Sequence, residues 1–255
     1  MAEARIKVSL RGVAKSFAER GKPKVDVLHA FDLDVLEGEI VCLLGPSGCG
    51  KTTLLDLCAG FERPDAGRIT VDGQPVTGPD PRRVFVFQER GIFPWMTASE
   101  NIAFGLRGKR RKRVEEVVER YIALMGLDGF GDAYPHELSG GMKQRVEVAR
   151  ALAVDPDILF MDEPFGSLDS LTRLKMRSEL IRIWQAETRT ILFVTHDVDE
   201  SVQIGQRVVV MSERPARIRK IVDLSGLPHP RDLDSREYLA VRDELFAAVG
   251  VPTRI

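Results

Sequence analysis

Hydrophobic positions along this chain follow three patterns, and each predicts a different kind of element. Residues 5 to 36 alternate between apolar and polar, as strands do, with turn residues at 21–24 between two segments. Short continuous apolar runs at 40–44, 158–161 and 190–194 are typical of strands buried on both faces. Residues 97–154 instead carry apolar side chains at helical spacing. The chain therefore predicts an α/β fold with a mostly parallel sheet, an N-terminal antiparallel β subdomain and a helical insertion.

The same patterns predict how the 255 residues are divided. We expect a single domain in which 1–90 and 155–225 form the core with its β layer, and 91–154 form a helical subdomain. The prolines at 228 and 230 break the chain before a last helix near Ser235 to Val249, so 226–255 forms a short helical tail. Three shorter elements complete the prediction: a helix at Lys51–Ala59 and strands at Gly67–Gly73 and Arg83–Gln88.

Composition narrows the classes of function. Lys and Arg total 37 against 38 Asp and Glu, so the chain has no overall positive field that would attract nucleic acid. The three cysteines form no CxxC pair, which argues against a zinc site or a disulfide scaffold and favours a reducing cytosol. No apolar run approaches the length of about 20 residues that spans a bilayer. Any membrane role is therefore expected to come through a partner.

Residues 45–52 read Gly-Pro-Ser-Gly-Cys-Gly-Lys-Thr and match the phosphate-loop pattern GxxxxGK[ST]. Glycines in such a loop let backbone N–H groups turn inward around phosphate oxygens. Lys51 is placed to reach the β and γ phosphates of a nucleotide, and the Thr52 hydroxyl can ligate Mg²⁺. An apolar strand precedes the loop and a helix follows it, so we expect a phosphate-loop NTPase core.

Cys49 lies inside this loop and has two interpretations. Positive backbone dipoles and the Lys51 ammonium predict that its thiolate form is favoured, which would make it reactive. The alternative is an inert small residue that only fills space.

A second group of polar residues follows the buried strands. The run Asp157 to Glu163 ends in two adjacent carboxylates, which a parallel sheet would deliver to its carboxyl edge, where ligands bind. We expect Asp162 to face Mg²⁺ and Glu163 to address a water molecule. Gln88 and His196 also end predicted strands and could complete the site with a phosphate, water or metal contact, although such residues are often merely solvated.

The stretch Leu138-Ser139-Gly140-Gly141-Met142 predicts a second anion-binding element. Ser139 is the expected N-cap of a helix that starts near Met142, and Gly140 and Gly141 would expose backbone N–H groups at its positive end. Alone, the stretch would indicate only a glycine-flanked helix cap. Because a simple nucleotide hydrolase needs one phosphate cradle, two cradles in one chain predict a second phosphate to hold.

Taken together, these motifs resemble the ATP-binding cassette (ABC) family over roughly residues 5 to 225. The family order is present: the phosphate loop, Gln88, the signature at 138–142, the strand ending in Glu163, Ser167-Leu168-Asp169, and His196. The resemblance implies a head-to-tail pair of cassettes, in which the signature of one copy closes over ATP held by the phosphate loop of the other. Met142 departs from the glutamine that usually ends the signature.

The resemblance also implies roles for individual residues. Glu163 would orient or deprotonate the attacking water, His196 would contact the γ phosphate, and Gln88 would sense Mg²⁺ and water. Phe17 matches the aromatic residue that stacks on adenine, although a core phenylalanine is the alternative. Mg²⁺ would be held by Thr52, Gln88 and Asp162, with Lys51 joining Glu163, His196 and Gln88 in catalysis. The ATP contacts implied are Phe17, Gly45, Pro46, Ser47, Gly48, Cys49, Gly50, Lys51, Thr52, Thr53, Ser139, Gly140 and Gly141.

Several partners follow from the same resemblance. The segment Gln88 to Leu106 looks like the family's docking surface for a transmembrane permease subunit, with Trp95 as its anchor; ordinary packing of the helical subdomain is the alternative. A solute-binding protein would act indirectly, and the subunit would sit peripherally at the cytoplasmic face of the membrane. Details at 93–96 and 138–144 look most like importers for nitrate, sulfonates or taurine.

Two rival functions remain open from the sequence. The basic run at 107–113 suggests contact with nucleic acid or anionic lipid, but it is brief and lacks interleaved aromatic residues, which favours a solvated loop. A soluble ABC-type ATPase acting on nucleic acid would be expected to show long coiled coils or tandem cassettes. This sequence shows neither, so we expect no nucleic-acid partner.

A GTPase or kinase of the phosphate-loop group is the second rival. Such a protein would lack the signature stretch and Glu163, which this chain has.

Overall fold

The protein was analysed as a computed structural model that describes residues 5–18, 21, 23–87, 91–108, 110–166 and 168–250. Its strands form two sheets, one of four strands and one of six. In chain order they are β1 (Ile6–Phe17), β2 (Val25–Leu36), β3 (Ile40–Leu44), β4 (Ala66–Val71), β5 (Gln74–Pro75), β6 (Arg83–Val86), β7 (Ile158–Asp162), β8 (Thr190–Thr195), β9 (Arg207–Met211) and β10 (Ile218–Asp223).

The four-stranded sheet has the order β2-β1-β4-β5 and is antiparallel throughout. Its strands alternate buried and exposed positions, because one face packs on the core and the other meets solvent. Val8, Leu10 and Phe31 belong to the buried set. This is the antiparallel N-terminal β layer that the alternation predicts.

The six-stranded sheet has the order β10-β9-β3-β8-β7-β6. Its inner pairs are parallel, and only β10 runs antiparallel, at the edge against β9. Alternate residues of β3 enter two different cores: Cys42 and Leu44 pack on one face, and Val41 and Leu43 on the other. Burial on both faces explains why these strands are continuous apolar runs in the sequence.

Helix α1 (Lys51–Ala59) lies in the core that both sheets share. Leu54, Leu55 and Leu57 are fully buried there with side chains of both sheets. The helix ends at Gly60, whose φ of 88° provides a left-handed cap. The helix that follows the phosphate loop is therefore fixed in place by its apolar side chains.

The predicted helical insertion contains α2 (Ala98–Ala103), α3 (Arg111–Leu124) and α4 (Gly140–Ala153), with short 3₁₀ turns at Phe104–Leu106 and Pro135–Glu137. Helix α2 begins with a capping box, in which Thr97 and Glu100 satisfy each other's backbone N–H groups. The fully buried Asn101 fixes the preceding segment, since its side chain bonds the backbone of Phe93, Met96 and Thr97.

The last part of the fold adds three helices to the core that also contains the helical insertion, on the face of the six-stranded sheet opposite α1. These are α5 (Ser170–Glu187), α6 (Val198–Ile204) and α7 (Arg236–Val249). The final helix agrees with its prediction near Ser235 to Val249, whereas β9 and β10 have no counterpart among the predicted elements. Within the described part of the chain, none of the helices has the length and hydrophobicity needed to cross a bilayer.

Candidate nucleotide site

The phosphate loop connects β3 to α1 and curls around the Lys51 side chain. Nζ of Lys51 donates to the carbonyl oxygens of Gly45 at 2.8 Å and Pro46 at 3.0 Å, and the residue is only 5% exposed. Gly50 has a φ of 118°, and a Cβ there would lie 2.7 Å from Cγ1 of Val27. The loop is therefore held in a conformation that needs glycine at this position.

The tip of this loop is open while its base is closed. Pro46, Ser47 and Gly48 are exposed, so their backbone can meet a ligand. Gly45, Cys49 and Gly50 are buried, and Thr53 is partly buried on the first turn of α1. All of these residues were predicted to contact the nucleotide.

The burial of Cys49 contradicts one of the two predictions made for it, that of a favoured thiolate. The thiol is 2% exposed and packs in the core shared by the two sheets, so burial raises its pKa. Lys51 acts in the opposite direction but does not reverse this effect. The expectation that the loop favours the thiolate was wrong, because the side chain points into the core rather than toward the anion-binding backbone. The alternative of an inert small residue agrees with this burial.

Two oxygen donors meet beside the loop. The Thr52 hydroxyl donates to Oδ2 of Asp162 at 2.7 Å, which brings the start of α1 against the end of β7. Burial raises the pKa of Asp162, and the Thr52 bond and Lys51 oppose that rise. A hydroxyl and a single carboxylate fit Mg²⁺, which binds oxygen and takes most of its other ligands from water and phosphates. Among the described residues, no group of three or more His, Cys, Asp or Glu side chains is placed to hold a metal ion.

Glu163 and His196 lie side by side at the carboxyl edge of the six-stranded sheet. Nδ1 of His196 is 3.0 Å from Oε2 of Glu163, and the imidazole is 59% exposed while the carboxylate is 17% exposed. Glu163 has a φ of 46°, a backbone conformation that costs roughly 1–3 kcal/mol in a residue with a side chain. Glu163 follows β7 and His196 follows β8. The two side chains meet because these strands are parallel neighbours that end at the same edge, next to β3 and its phosphate loop.

Two residues of the predicted constellation fall outside the described residues. Gln88, predicted as a catalytic and metal contact, follows β6 by two positions and lies in the gap at 88–90. Ser167, from the stretch after Glu163, lies outside the described residues as well. Their roles stay predictions.

Asp56 is an ionisable residue near the site that the sequence did not single out. Burial in the last turn of α1, together with the charges of Asp162 and Glu62, raises its pKa to about 6. The signal in the sequence was an acidic residue on the partly buried side of an apolar helix. Its closeness to Asp162 depends on tertiary structure, so the raised pKa could not be predicted from the sequence.

The second anion-binding element begins α4. Ser139 is its N-cap, and its hydroxyl accepts from the Met142 N–H at 3.3 Å. The helix starts at Gly140 rather than near Met142, because both glycines already belong to the first turn. Met142 itself is partly buried and packs against the larger core. Among the described residues, no hydrogen bond joins this first turn to the phosphate loop.

Phe17 ends β1 with an exposed ring. The residue is 40% exposed, and Nζ of Lys15 lies 4.9 Å from the ring centroid. The alternative of a core phenylalanine is therefore wrong, while the predicted stack on adenine stays a prediction.

A separate surface surrounds Trp95, which is 69% exposed. The Phe93 ring lies 5.5 Å from the Trp95 ring and 4.5 Å from the Phe104 ring. Arg150 of α4 packs over Phe93 at 5.0 Å and donates to the Gly91 carbonyl at 2.8 Å. We call residues 91–106 around these aromatic rings the Trp95 surface. Packing within the helical insertion accounts for Phe93 but not for Trp95.

The basic run is solvated where the structure describes it. Arg107, Arg110, Arg111 and Arg113 are exposed, and Lys109 lies outside the described residues. Arg111 pairs with Glu115 at 2.8 Å, which satisfies part of the charge locally. The exposure agrees with the prediction of a solvated run, but the prediction of a loop was wrong for residues 111–113, which form the first turn of α3.

Comparisons with known proteins support the assignment of these residues to a nucleotide site. A family model described as ABC transporter matches residues 28–166. An uncharacterized ABC transporter ATP-binding protein of Methanocaldococcus jannaschii is 45% identical, covering 95% of this chain and 91% of that protein. An aliphatic sulfonates import ATP-binding protein of Bacillus cereus is 42% identical, with 94% of each chain covered.

Among solved structures, one similar chain is a dimeric ATP-binding cassette in a post-hydrolysis state, bound to ADP and Pi. It is 30% identical with a TM-score of 0.76, covering 85% of this chain and 98% of that one. The phosphate loop, the Thr52–Asp162 contact and the Glu163–His196 pair are therefore found on a cassette fold. The chain belongs to the ABC transporter family as an ATP-binding subunit, an ATPase that uses ATP with Mg²⁺.

Proposed function

We propose that this chain is the ATP-hydrolysing subunit of an ABC importer for a small anion such as nitrate, a sulfonate or taurine. The observation that carries the ATPase part is the meeting of Thr52 with Asp162 and of Glu163 with His196 at one sheet edge. The solute class is supported by the Bacillus cereus relative, whose name assigns it to aliphatic sulfonate import. No residue of this chain is expected to contact the solute.

The residues divide the chemistry between binding and hydrolysis. The backbone from Gly45 to Thr53 cradles the phosphates, and Lys51 neutralises their charge once its ammonium turns from the loop carbonyls to the nucleotide. Thr52 and Asp162 would hold Mg²⁺, which when bound supplies charge neutralisation between the phosphates. Gln88 joins that group in the proposal, and Phe17 stacks on adenine.

Hydrolysis needs a water molecule aligned with the γ phosphate. Glu163 is proposed to orient that water or take its proton, because its carboxylate emerges at the strand end beside Asp162. His196 is proposed to contact the γ phosphate while its Nδ1 stays near Glu163. The two side chains are adjacent, with Nδ1 of His196 3.0 Å from Oε2 of Glu163, so Nε2 on the other side of the ring would be the donor to the phosphate.

A second copy of the chain is proposed to complete the site. Ser139, Gly140 and Gly141 present a helix N-terminus suited to phosphate, and within the described residues no hydrogen bond ties that turn to the chain's own phosphate loop. In a head-to-tail homodimer each turn would cover the ATP held by the other copy. The dimeric state of the similar cassette supports this arrangement.

Membrane attachment is proposed to run through the Trp95 surface, within the segment from Gln88 to Leu106. A tryptophan that is 69% exposed keeps apolar area in water, which is unfavourable, and burying that area in a contact would lower the free energy. A transmembrane permease subunit docked there would hold the protein peripherally at the cytoplasmic face of the membrane. A solute-binding protein would meet the permease and affect this chain indirectly.

The proposal is tested by purifying the tagged chain from membranes under mild detergent. We expect transmembrane subunits to co-purify, and the complex in liposomes to take up taurine, an alkanesulfonate or nitrate only when ATP is supplied. A Lys51→Ala complex is the control and should bind the same partners without uptake. Isolation without transmembrane partners, with ATPase activity stimulated by DNA or RNA, would instead support the nucleic-acid alternative.

A further inference from the structure

Two arginines on α5 connect the loops that follow β7 and β8. Arg173 reaches the loop after Glu163, where Nε donates to the Phe165 carbonyl at 3.2 Å and Nη2 donates to the Leu168 carbonyl at 2.9 Å. Its Nη1 lies 4.0 Å from Oδ2 of Asp197, the residue after His196. One side chain therefore touches the neighbourhoods of both Glu163 and His196.

Arg177, one turn further along α5, makes the closer contacts to the β8 side. Its Nε donates to Oε1 of Glu200 at 3.0 Å, and Nη2 donates to Oδ2 of Asp197 at 3.1 Å. A third bond, from Nη1 to Oε1 of Gln203, measures 3.4 Å. The planar guanidinium thus binds two carboxylates at once, which the single ammonium of a lysine cannot reproduce.

These carboxylates fix the backbone on both sides of His196. The Thr195 hydroxyl donates to Oε2 of Glu200 at 2.5 Å and accepts from the Asp197 N–H at 3.0 Å. Oδ1 of Asp197 in turn accepts from the Glu200 N–H at 3.1 Å and caps α6. The residues before and after His196 are therefore both bonded into the Arg177 cluster, while the imidazole remains exposed.

The residues of the Arg177 cluster are buried, so their hydrogen bonds define one geometry. Arg177, Glu200 and Thr195 are 8%, 4% and 1% exposed. A buried ion pair adds little net stability compared with apolar residues of similar size, because both ions lose their hydration. Its directional hydrogen bonds nevertheless fix geometry closely. The cluster is therefore suited to hold the backbone around His196 in one position.

We propose that Arg177 is a positioning residue for hydrolysis, which acts by holding His196 against Glu163. The proposal rests on the functions proposed for Glu163 and His196. Arg177 fixes Asp197 and Glu200, these fix the backbone around His196, and Nδ1 of His196 is thereby kept 3.0 Å from the Glu163 carboxylate. A displacement of about 1 Å in such a constellation can lower a rate about 100-fold. The effect falls on turnover rather than on ATP affinity, since neither Arg177 nor its partners belong to the phosphate loop.

The test compares Arg177→Lys with Arg182→Lys. Both substitutions are on α5, but the Arg182 side chain is 60% exposed and pairs with Glu179 at the surface. We expect Arg177→Lys to lower kcat for ATP about tenfold and to change KM less than about twofold, because the second carboxylate loses its donor. Arg182→Lys should leave both values unchanged. An unaltered kcat in Arg177→Lys would overturn the proposal.

A double-mutant cycle with His196→Ala separates positioning from general structural damage. If Arg177 acts through His196, adding Arg177→Lys to His196→Ala should lower kcat by less than about twofold, since the group it positions is absent. The same tenfold loss in both backgrounds would overturn the positioning function alone. A His196→Ala variant with normal turnover would refute the function proposed for His196, and that of Arg177 with it.

Asp197→Asn keeps the test decisive if Arg177→Lys does not fold. Asparagine is a good helix N-cap, so α6 retains its start while the charge that Arg177 binds is removed. The thermal unfolding midpoint reports folding, and the same cycle with His196→Ala should show the same loss of effect. Full additivity in this second cycle would also contradict the proposal.

Discussion

The carboxyl edge of the six-stranded sheet, where Thr52, Asp162, Glu163 and His196 lie, is called the nucleotide edge. The nucleotide edge and the Trp95 surface are built in opposite ways. At the nucleotide edge, Lys51 and Asp162 are 5% and 4% exposed, and each is hydrogen-bonded within the protein. At the Trp95 surface, the Trp95 side chain is 69% exposed, and its ring lies 5.5 Å from that of Phe93. One region is hydrogen-bonded internally, whereas the other exposes apolar area to solvent.

The difference reflects what each region must do. Hydrolysis depends on groups held within fractions of an ångström, and buried hydrogen bonds on the ends of parallel strands provide that precision. The proposed docking of a partner depends on the favourable free energy of burying apolar area, which an exposed tryptophan would supply. Substitutions should therefore separate the two regions: one class should alter chemistry with docking intact, and the other should alter docking with chemistry intact.

The largest expected effect comes from Glu163→Gln at the nucleotide edge. The amide keeps the size of the side chain but cannot accept a proton, so kcat should fall by about 100-fold or more. ATP binding should persist, because Lys51 and the loop are unchanged, and ATP-bound dimers should accumulate. Steady-state hydrolysis and size-exclusion chromatography with ATP and Mg²⁺ measure the two outcomes.

Glu116→Gln on α3 is the matched control, since that side chain is 53% exposed and its ion pair with Arg113 is long, at 3.9 Å. It should leave turnover unchanged. A Glu163→Gln protein that hydrolyses ATP normally, or stays monomeric with ATP, would contradict the function proposed for Glu163 and the composite site.

Most of the fold was predictable because the buried strands carry their own signal. The run 158–161 predicted β7, and the helix predicted at Lys51–Ala59 has those bounds in the structure. Strands β9 and β10 were not predicted, although residues 208–211 of β9 form a buried apolar run of the same kind. The residues of β10 alternate in exposure, with Val222 buried and Ile221 exposed, so at this sheet edge the apolar signal is broken by charged residues.

For the site, sequence predicted the residues but not how they are arranged. Thr52 and Asp162 are 110 positions apart, and their contact follows from strand order, which no local pattern specifies. Cys49 was misjudged because its neighbours in sequence are polar while its neighbours in space are apolar. Arg177 and Glu200 were missed for the same reason, since a charged residue on a helix indicates a solvated face unless the packing is known.

Trp95→Ala addresses the other side of the comparison and should have an intermediate effect. Removal of the ring should lower ATP-driven transport by the reconstituted complex about tenfold, because truncating an interface anchor costs about 1–2 kcal/mol or more. The KM for ATP of the isolated subunit should change less than about twofold. Uptake into liposomes and ATPase kinetics give the two measurements.

Phe130→Ala is a suitable control, because Phe130 is also exposed, at 44%, and follows α3 outside the Trp95 surface. Its transport should match that of the unchanged complex. If Trp95→Ala lowered transport and ATP affinity equally, the two regions would not be separable, and docking at this surface would lose its support.

The smallest effect is expected from Asp56→Asn, which tests whether the nucleotide edge carries an electrostatic cost. Burial and the nearby Asp162 and Glu62 raise the pKa of Asp56 from 3.8 to about 6 in the folded protein. Below pH 3.8 the carboxyl is protonated in both folded and unfolded states, so it costs nothing. As pH rises through this window the unfolded chain ionises first, and above about 6 the folded state bears the full cost of a partly buried charge.

Asparagine removes that charge, so Asp56→Asn should raise the unfolding midpoint at pH 8 by roughly 2–4 °C, allowing for the side chain's partial contact with solvent. The gain should shrink as pH falls and vanish near pH 4, whereas Asp128→Asn on an exposed turn should show no such dependence. Scanning calorimetry across this range measures both variants. A gain that is equal at pH 4 and pH 8 would mean that a change in contacts, not in charge, accounts for it, and would contradict an electrostatic cost at the nucleotide edge.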